Sequence, residues 1–526
     1  MIDKVSSVDT KTFVKTPSPQ KAQSKLAFKG AGDLLLQGIQ ICEKNPMINV
    51  SVLDLSTAII PRSVIETKES NAYAGMEAFR RESSGLIVNC LLPSFIVMGV
   101  SKLLNGKIMK GYNKGNLTSC WANEESLNII QKYYSEAKGN GTAKLENALN
   151  SFINDLSGVD GKEIKAFKDF DLKSGIKSIA EASAQSDNKK SAKKLLNKGY
   201  QQISEQTHIT ENIRLKGSDK FLSKNLKGLL EDFIKVHNAM EKEGLNSTEE
   251  IVKYINKAKK LVNTKSLGGL SLIIPLAISM QPLNRWITAK HSGQKGAPIY
   301  KDFETGNTHK ELNKNEKFEL LKQKFISVGS MLGVAFLSMG CKLPSKQMLQ
   351  FKGIFPTMDQ ARIISTATFA SRMMSSEDKN ELREATIRDI ATFSSLYFLG
   401  DYAAKGVACA IEKFRPDVKL LNTTKELQKD ANIWKKMKHW IKDVSLKSSD
   451  EVVGKAAKNL RSVCQLGNLA FSLLALGVFI PLYTRTQTNK KREAELRNLA
   501  TSINSTDGFL KDQIKNSSPA FSAFFK

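Results

Sequence analysis

Ser462–Thr484 reads SVCQLGNLAFSLLALGVFIPLYT, with no charged residue inside it and Arg461 and Arg485 at its two ends. The hydrocarbon core of a bilayer takes about 20 apolar residues in a helix, with a range of about 17–25. This stretch meets that length. Two more do: Ser266–Asn284 (SLGGLSLIIPLAISMQPLN), between Lys265 and Arg285, and Phe325–Cys341 (FISVGSMLGVAFLSMGC), between Lys324 and Lys342. Gly85–Leu104 (GLIVNCLLPSFIVMGVSKLL) holds only Lys102, close enough to a helix end to snorkel to water. Ile390–Ile411 is apolar apart from Asp401 and Lys405. Asn45–Pro61 is short and contains Asp54, and it reads equally as a span, a re-entrant piece or an amphipathic helix.

These runs predict an all-α chain: a polytopic membrane bundle of about five or six spans with an inserted soluble helical domain. A large soluble bundle also has central helices that are apolar all round. Such helices are seldom this long without a charge, and several at once are rarer. Gly, Ser and Ala are frequent inside the runs, as in packed membrane helices, and Gly329 and Gly333 form a GxxxG. Trp286 and Tyr483 stand beside Arg285 and Arg485 where two runs meet a basic flank. That is the arrangement of anchors at a membrane–water interface.

Working outward, residues 1–32 are a polar, Lys/Ser/Thr-rich stretch read as a flexible basic tail. They have no apolar core of the kind a cleavable signal peptide needs. Residues 33–104 hold the first membrane-associated helices. Residues 105–265 are polar but helical by period, as in Leu145, Leu149, Phe152, Ile153 and Leu156, and predict a soluble helical insert. Residues 266–411 return to membrane helices. Residues 412–461 form an amphipathic helical insert around IWKKMKHWIK, where Trp434, Met437, Trp440 and Ile441 share a face bordered by lysines. Residues 462–484 are the last membrane helix, and 485–526 a polar C-terminal tail.

The 526 residues carry a formal net charge of +27. Such a charge attracts anionic lipid or nucleic acid. The lysines are spread along the whole chain and the aromatics sit in apolar runs, which argues against specific nucleic-acid binding and for a bilayer with anionic lipids as partner. Six cysteines (42, 90, 120, 341, 409, 464) show no CxxC spacing and read as reduced packing residues. Every loop is basic, so the charge bias that orients spans is missing.

Two stretches follow one order of features. Ile59–Ile60 precede Arg81–Glu82, an apolar run, a polar insert and a second run ending in Pro282, Arg285 and Trp286. Ile363–Ile364 precede Arg388–Asp389 and the same sequence of features, ending in Pro481, Tyr483 and Arg485. An internal duplication would explain this. With three spans per half, Phe325–Cys341 would match Asn45–Pro61 and the second copy would be inverted.

No HExxH, GxxxxGK[ST], GxGxxG-after-strand or GxSxG pattern is present, so the sequence points to no catalytic residue, cofactor or metal site. The chain is expected to be a multi-pass inner- or plasma-membrane protein in transport or membrane assembly. The alternative is a non-catalytic helical scaffold that is soluble or peripheral. The one pair set aside for chemistry is Asp401 with Lys405, four apart and on one helix face. Inside a span, such a pair marks an ion or proton path. On an interfacial helix, it is a plain surface contact.

Overall fold

The computed structural model describes residues 38–39 and 46–517, except 113, 158–171, 186–187, 208, 210–212, 219, 295, 301–302, 304–311, 341–343, 424–431, 448–451 and 453–454. The tail at 1–32 lies outside the described residues, as do Cys42 and Cys341.

The chain is an all-α helical bundle, and among the described residues five helices are long and apolar enough to cross a membrane. Helix α1 (Met47–Glu69) and helix α2 (Ala72–Ile108) form a hairpin. The insert follows: α3 (Glu124–Glu136), α4 (Gly141–Asn154), α5 (Lys173–Ala184), α6 (Lys189–Thr207) and α7 (Leu226–Lys242). A short antiparallel pair, β1 (Leu156–Ser157) with β2 (Arg214–Leu215), ties it together. Helix α8 (Thr248–Ser292) returns to the bundle, and α9 (Lys314–Ser338) runs along its side. After the single turn α10 (Lys346–Leu349) comes α11 (Met358–Met374). Helix α12 runs from Lys379–Ser394 through a π-helical turn into Gly400–Phe414. A hairpin-like unit follows, β3 (Leu421–Thr423), α13 (Ile433–Lys442) and β4 (Val444–Leu446), with β3 and β4 antiparallel. Helix α14 runs from Lys455–Ser472 through a π turn into Ile480–Ser517.

The insert has its own core, in which Leu127, Ile130, Leu149, Phe152, Leu230 and Phe233 pack on Tyr254 and Ile255 of α8. The second half of α8 belongs to a different core, where Leu270, Ile273 and Ala277 meet Val88 and Val97 of α2. The boundary read at 265 therefore falls inside one continuous helix. Lys265 is buried there, and its Nζ donates to the carbonyl of Cys120 at 2.7 Å. The boundary read at 485 is also crossed by a helix, α14. KKREAELRNLA (490–500) is rich in strong helix formers and has no Gly or Pro, so nothing ends the helix there.

Among the described residues, four π-helical turns interrupt the bundle helices: Asp54–Ile59, Ile87–Leu91, Ser395–Leu399 and Leu473–Phe479. Three of them lie one or two residues before a proline, Pro61, Pro93 or Pro481. Proline removes an N–H and clashes with the carbonyl four residues back, and a widened turn relieves both.

The large apolar side chains on the outside of α2, α8, α9 and α14 are uncovered, Phe95 at 72% and Phe325 at 62% exposure among them. Neither the insert nor the β3–α13–β4 unit wraps them. Of the described cysteines, 90, 120 and 464 are buried, 409 is exposed, and none is in a disulfide.

Candidate functional site

Helices α1, α2 and α8 make one half of the bundle and α11, α12 and α14 the other, with α9 between them in sequence. In each half a glycine of the third helix seats against a valine of the second. A Cβ on Gly269 would stand 2.4 Å from Val97, and one on Gly467 would stand 2.6 Å from Val407. The first helix of each half packs on the third helix of the other, α1 on α14 and α11 on α8.

The two halves are parallel. Asn71, which caps α2, donates through Nδ2 to the carbonyls of Pro298 and Tyr300, both at 2.8 Å. Asp378, which caps α12, accepts from the Tyr300 hydroxyl at 2.9 Å. Both second helices thus start at the same end of the bundle. The inverted arrangement read from the sequence is corrected here. Helix α9 is a fourth helix with no counterpart in the pairing, and it returns the chain so that α11 repeats the direction of α1.

From each cap, matching side chains follow at the same spacing, three identical and the fourth an acid in both: Glu77, Ala78, Arg81, Glu82 in α2 and Glu384, Ala385, Arg388, Asp389 in α12. They meet at the start of the apolar runs and build a buried ion network. Glu66 accepts from Arg485 at 2.6 Å and Arg81 at 3.3 Å, with Arg388 at 3.8 Å. Glu82 holds Arg81 at 3.1 Å, Arg62 at 3.4 Å and Arg372 at 3.3 Å. Asp389 holds Arg372 and Arg388, both at 3.3 Å. Glu384 holds Arg388 at 3.6 Å and Arg485 at 3.3 Å, and accepts from the Thr488 hydroxyl. Arg62 is 0% exposed and also donates to Thr392 at 2.6 Å. A related pair stands beside the network, with Arg285 bridging Glu77 and Glu381. Arg285–Glu77 and Arg485–Glu384 occupy equivalent places in the two halves.

One carboxylate beside the network has no such partner among the described residues. Asp54 opens the π turn of α1 and lines a cavity of about 30 Å³, with Glu82, Asn89, Ser365, Arg372, Thr392 and Tyr397 around it. That volume holds about two waters. The cavity lies between α1 and α2 of one half and α11 and α12 of the other, and three of the four π turns contribute to its wall. A hydrogen-bonded chain runs along it. Thr368 Oγ1 donates to Asn89, Asn89 Nδ2 donates to Ser365 Oγ, both at 3.3 Å, and Ser365 Oγ meets the Tyr397 hydroxyl at 2.7 Å.

The residues singled out from the sequence take other places. Arg285 and Arg485, read as interfacial anchors, are drawn inward. A guanidinium held by two carboxylates gains more than one left at a boundary, and Glu77, Glu381, Glu66 and Glu384 supply those carboxylates. Trp286 and Tyr483 point outward and are more than half exposed. Asp401 is exposed on α12, while Lys405 lies over the rings of Tyr402 at 5.0 Å and Trp440 at 5.8 Å. The sequence reading treated Arg81–Glu82 and Arg388–Asp389 only as marks of repetition and passed over Arg62, Glu66, Arg372 and Glu384. The six-residue echo EAFRRE (77–82) and EATIRD (384–389) was the signal available.

No known protein family, curated protein or solved structure matches this chain.

Proposed function

We propose that the chain is a multi-pass membrane protein of the inner or plasma membrane and that it moves protons through the cavity at Asp54. The observation that carries this reading is the placement of an unpartnered carboxylate in a water-sized cavity, lined by both polar and apolar side chains, between two repeated halves. Repeat interfaces are where many membrane carriers hold their ion and substrate sites, and an ionisable side chain inside a membrane is a functional candidate by default. The exposed apolar belt on α2, α8, α9 and α14 supports the membrane part. A soluble scaffold leaving that much apolar surface open would aggregate.

The cavity's chemistry favours a proton over a metal cation. Arg372 lines the same wall and repels a bare cation, whereas a proton binds Asp54 covalently and leaves a neutral acid beside the arginine. The hydroxyl and amide chain through Thr368, Asn89, Ser365 and Tyr397 is able to order the waters that pass the proton on. The ion network at the cavity's edge holds the two halves in register.

The test uses the full chain reconstituted in liposomes with a pH-sensitive dye inside and a potassium gradient with valinomycin as driving force. The wild-type protein should acidify or alkalinise the lumen according to the imposed potential. Asp54→Asn should abolish the flux while remaining folded, and Asp54→Glu should retain part of it. Flux through Asp54→Asn equal to wild type would defeat the proposal. Carbonate extraction of membranes checks the other half of the reading, because an integral protein stays in the pellet.

A further inference from the structure

Helix α13 is not absorbed by the proton pathway. Its sequence IWKKMKHWIK places Ile433, Trp434, Met437, Trp440 and Ile441 within an arc of about 120°, at about 100° per residue. Lys435, Lys436 and Lys438 occupy the remaining arc and are exposed. The apolar face is open as well: Ile433 is 75% and Trp434 69% exposed. Only Trp440 turns inward, stacking on Tyr402 of α12 with ring centroids 5.5 Å apart.

That stack fixes the depth of α13. Tyr402 lies 13 residues beyond Asp389 on the same helix. At about 1.5 Å per residue, α13 sits about 20 Å from the ion network along the bundle. The ion network stands at the start of the apolar runs of α2 and α12, directly before Gly85 and Ile390, and a hydrocarbon core is about 30 Å thick. Helix α13 therefore lies about 10 Å inside the opposite edge, where amphipathic helices settle between acyl chains and headgroups. Apart from Trp440 its apolar face is open, and its lysines occupy the opposite arc.

We infer that α13 is an in-plane membrane helix that binds anionic phospholipid headgroups through Lys435, Lys436 and Lys438. Charge complementarity selects the occupant: three lysines beside two tryptophans fit an anionic lipid surface, where each lysine contributes about a fivefold gain in association. The inference rests on the membrane part of the reading above and not on proton movement.

The full chain is reconstituted in vesicles of phosphatidylcholine, with or without phosphatidylglycerol, containing shallow-brominated lipid. The signal from Trp434 is the fluorescence lost on Trp434→Phe. It should be quenched by brominated lipid in phosphatidylglycerol vesicles and shielded from aqueous acrylamide. The triple variant Lys435→Glu, Lys436→Glu, Lys438→Glu should lose most of that quenching with its helical content unchanged. Acrylamide access equal in both vesicle types, with no lipid quenching, would overturn the proposal, and would also be the result if a protein surface covered α13. Lipid quenching that is the same in pure phosphatidylcholine would overturn the anionic selectivity. Carbonate extraction of the same vesicles separates the two readings. A chain that washes off defeats both, and a chain that stays while Trp434 remains in water defeats only this one.

Discussion

Glu66 is shared by arginines from three different helices, Arg81, Arg388 and Arg485, two of them belonging to the other half of the bundle. Removing a buried partner leaves charge uncompensated, which costs about 3–5 kcal/mol, far more than such a pair gains over apolar packing. Glu66→Gln is therefore expected to lower the thermal stability of the detergent-solubilised protein by about that amount. Asp54→Asn, at a carboxylate facing the cavity, should cost within about 1 kcal/mol. Equal losses would show that Asp54 is structural. Asp401 and Lys405 are expected to behave as surface residues. Lys405 interacts with two aromatic rings, so a double-alanine cycle should give a coupling within about 0.5 kcal/mol. At this scale the sequence was legible only in part. Asp401 and Lys405 were visible because they interrupt an apolar run. Arg62, Glu66 and Arg372 were not, because their partners come from helices up to 419 residues away.

Among the elements, the insert was the most legible, because its helices carry their apolar residues at the 3.6 period and its core is almost wholly its own. Residues 105–265 produced alone should give a helical circular dichroism spectrum. His237 adds a pH signature. It is buried against the Tyr134 hydroxyl at 2.8 Å, and burial pushes its imidazole down to about 4. The unfolded chain, with its histidine near 6.5, binds the proton first as pH falls. Stability is thus complete above pH 6.5 and is lost between about 6.5 and 4. Between pH 7 and 5 the loss should reach roughly 2 kcal/mol, read as a falling melting temperature. His237→Phe should flatten the dependence in that window; an unchanged slope would assign it to other groups. The π turns were not legible, although Pro61, Pro93 and Pro481 are visible, because Pro275 and Pro282 sit within α8, where none of these turns falls. Whether a helix widens depends on what packs against it.

For the whole molecule, the parallel halves make a topological prediction. Helices α2 and α12 start together at Tyr300, so the insert and the β3–α13–β4 unit leave the bundle at its other end. In sealed vesicles, trypsin should reach residues 105–265 and 415–455 from one side and the connection at 293–313 from the other. Cleavage of both inserts from opposite sides would restore the inverted arrangement. The sequence reading inverted the second copy because it took the apolar run of α9 as the counterpart of Asn45–Pro61; that α11 takes this place, and that α9 has no counterpart, shows only when the helices are packed.

Composition and period by themselves determined that the chain is helical, where its apolar runs lie, and that a polar helical unit interrupts them. Those properties are local: each follows from a run of neighbouring residues and the length a helix needs to bury it. Which arginines turn inward, how the halves face each other, and that Asp54 borders a cavity were decided only by tertiary structure. An Arg at the end of an apolar run is the same in sequence whether it meets water or a carboxylate. Arg485 meets Glu66 and Glu384, and the helices that carry them are brought together by packing that no single stretch of sequence contains.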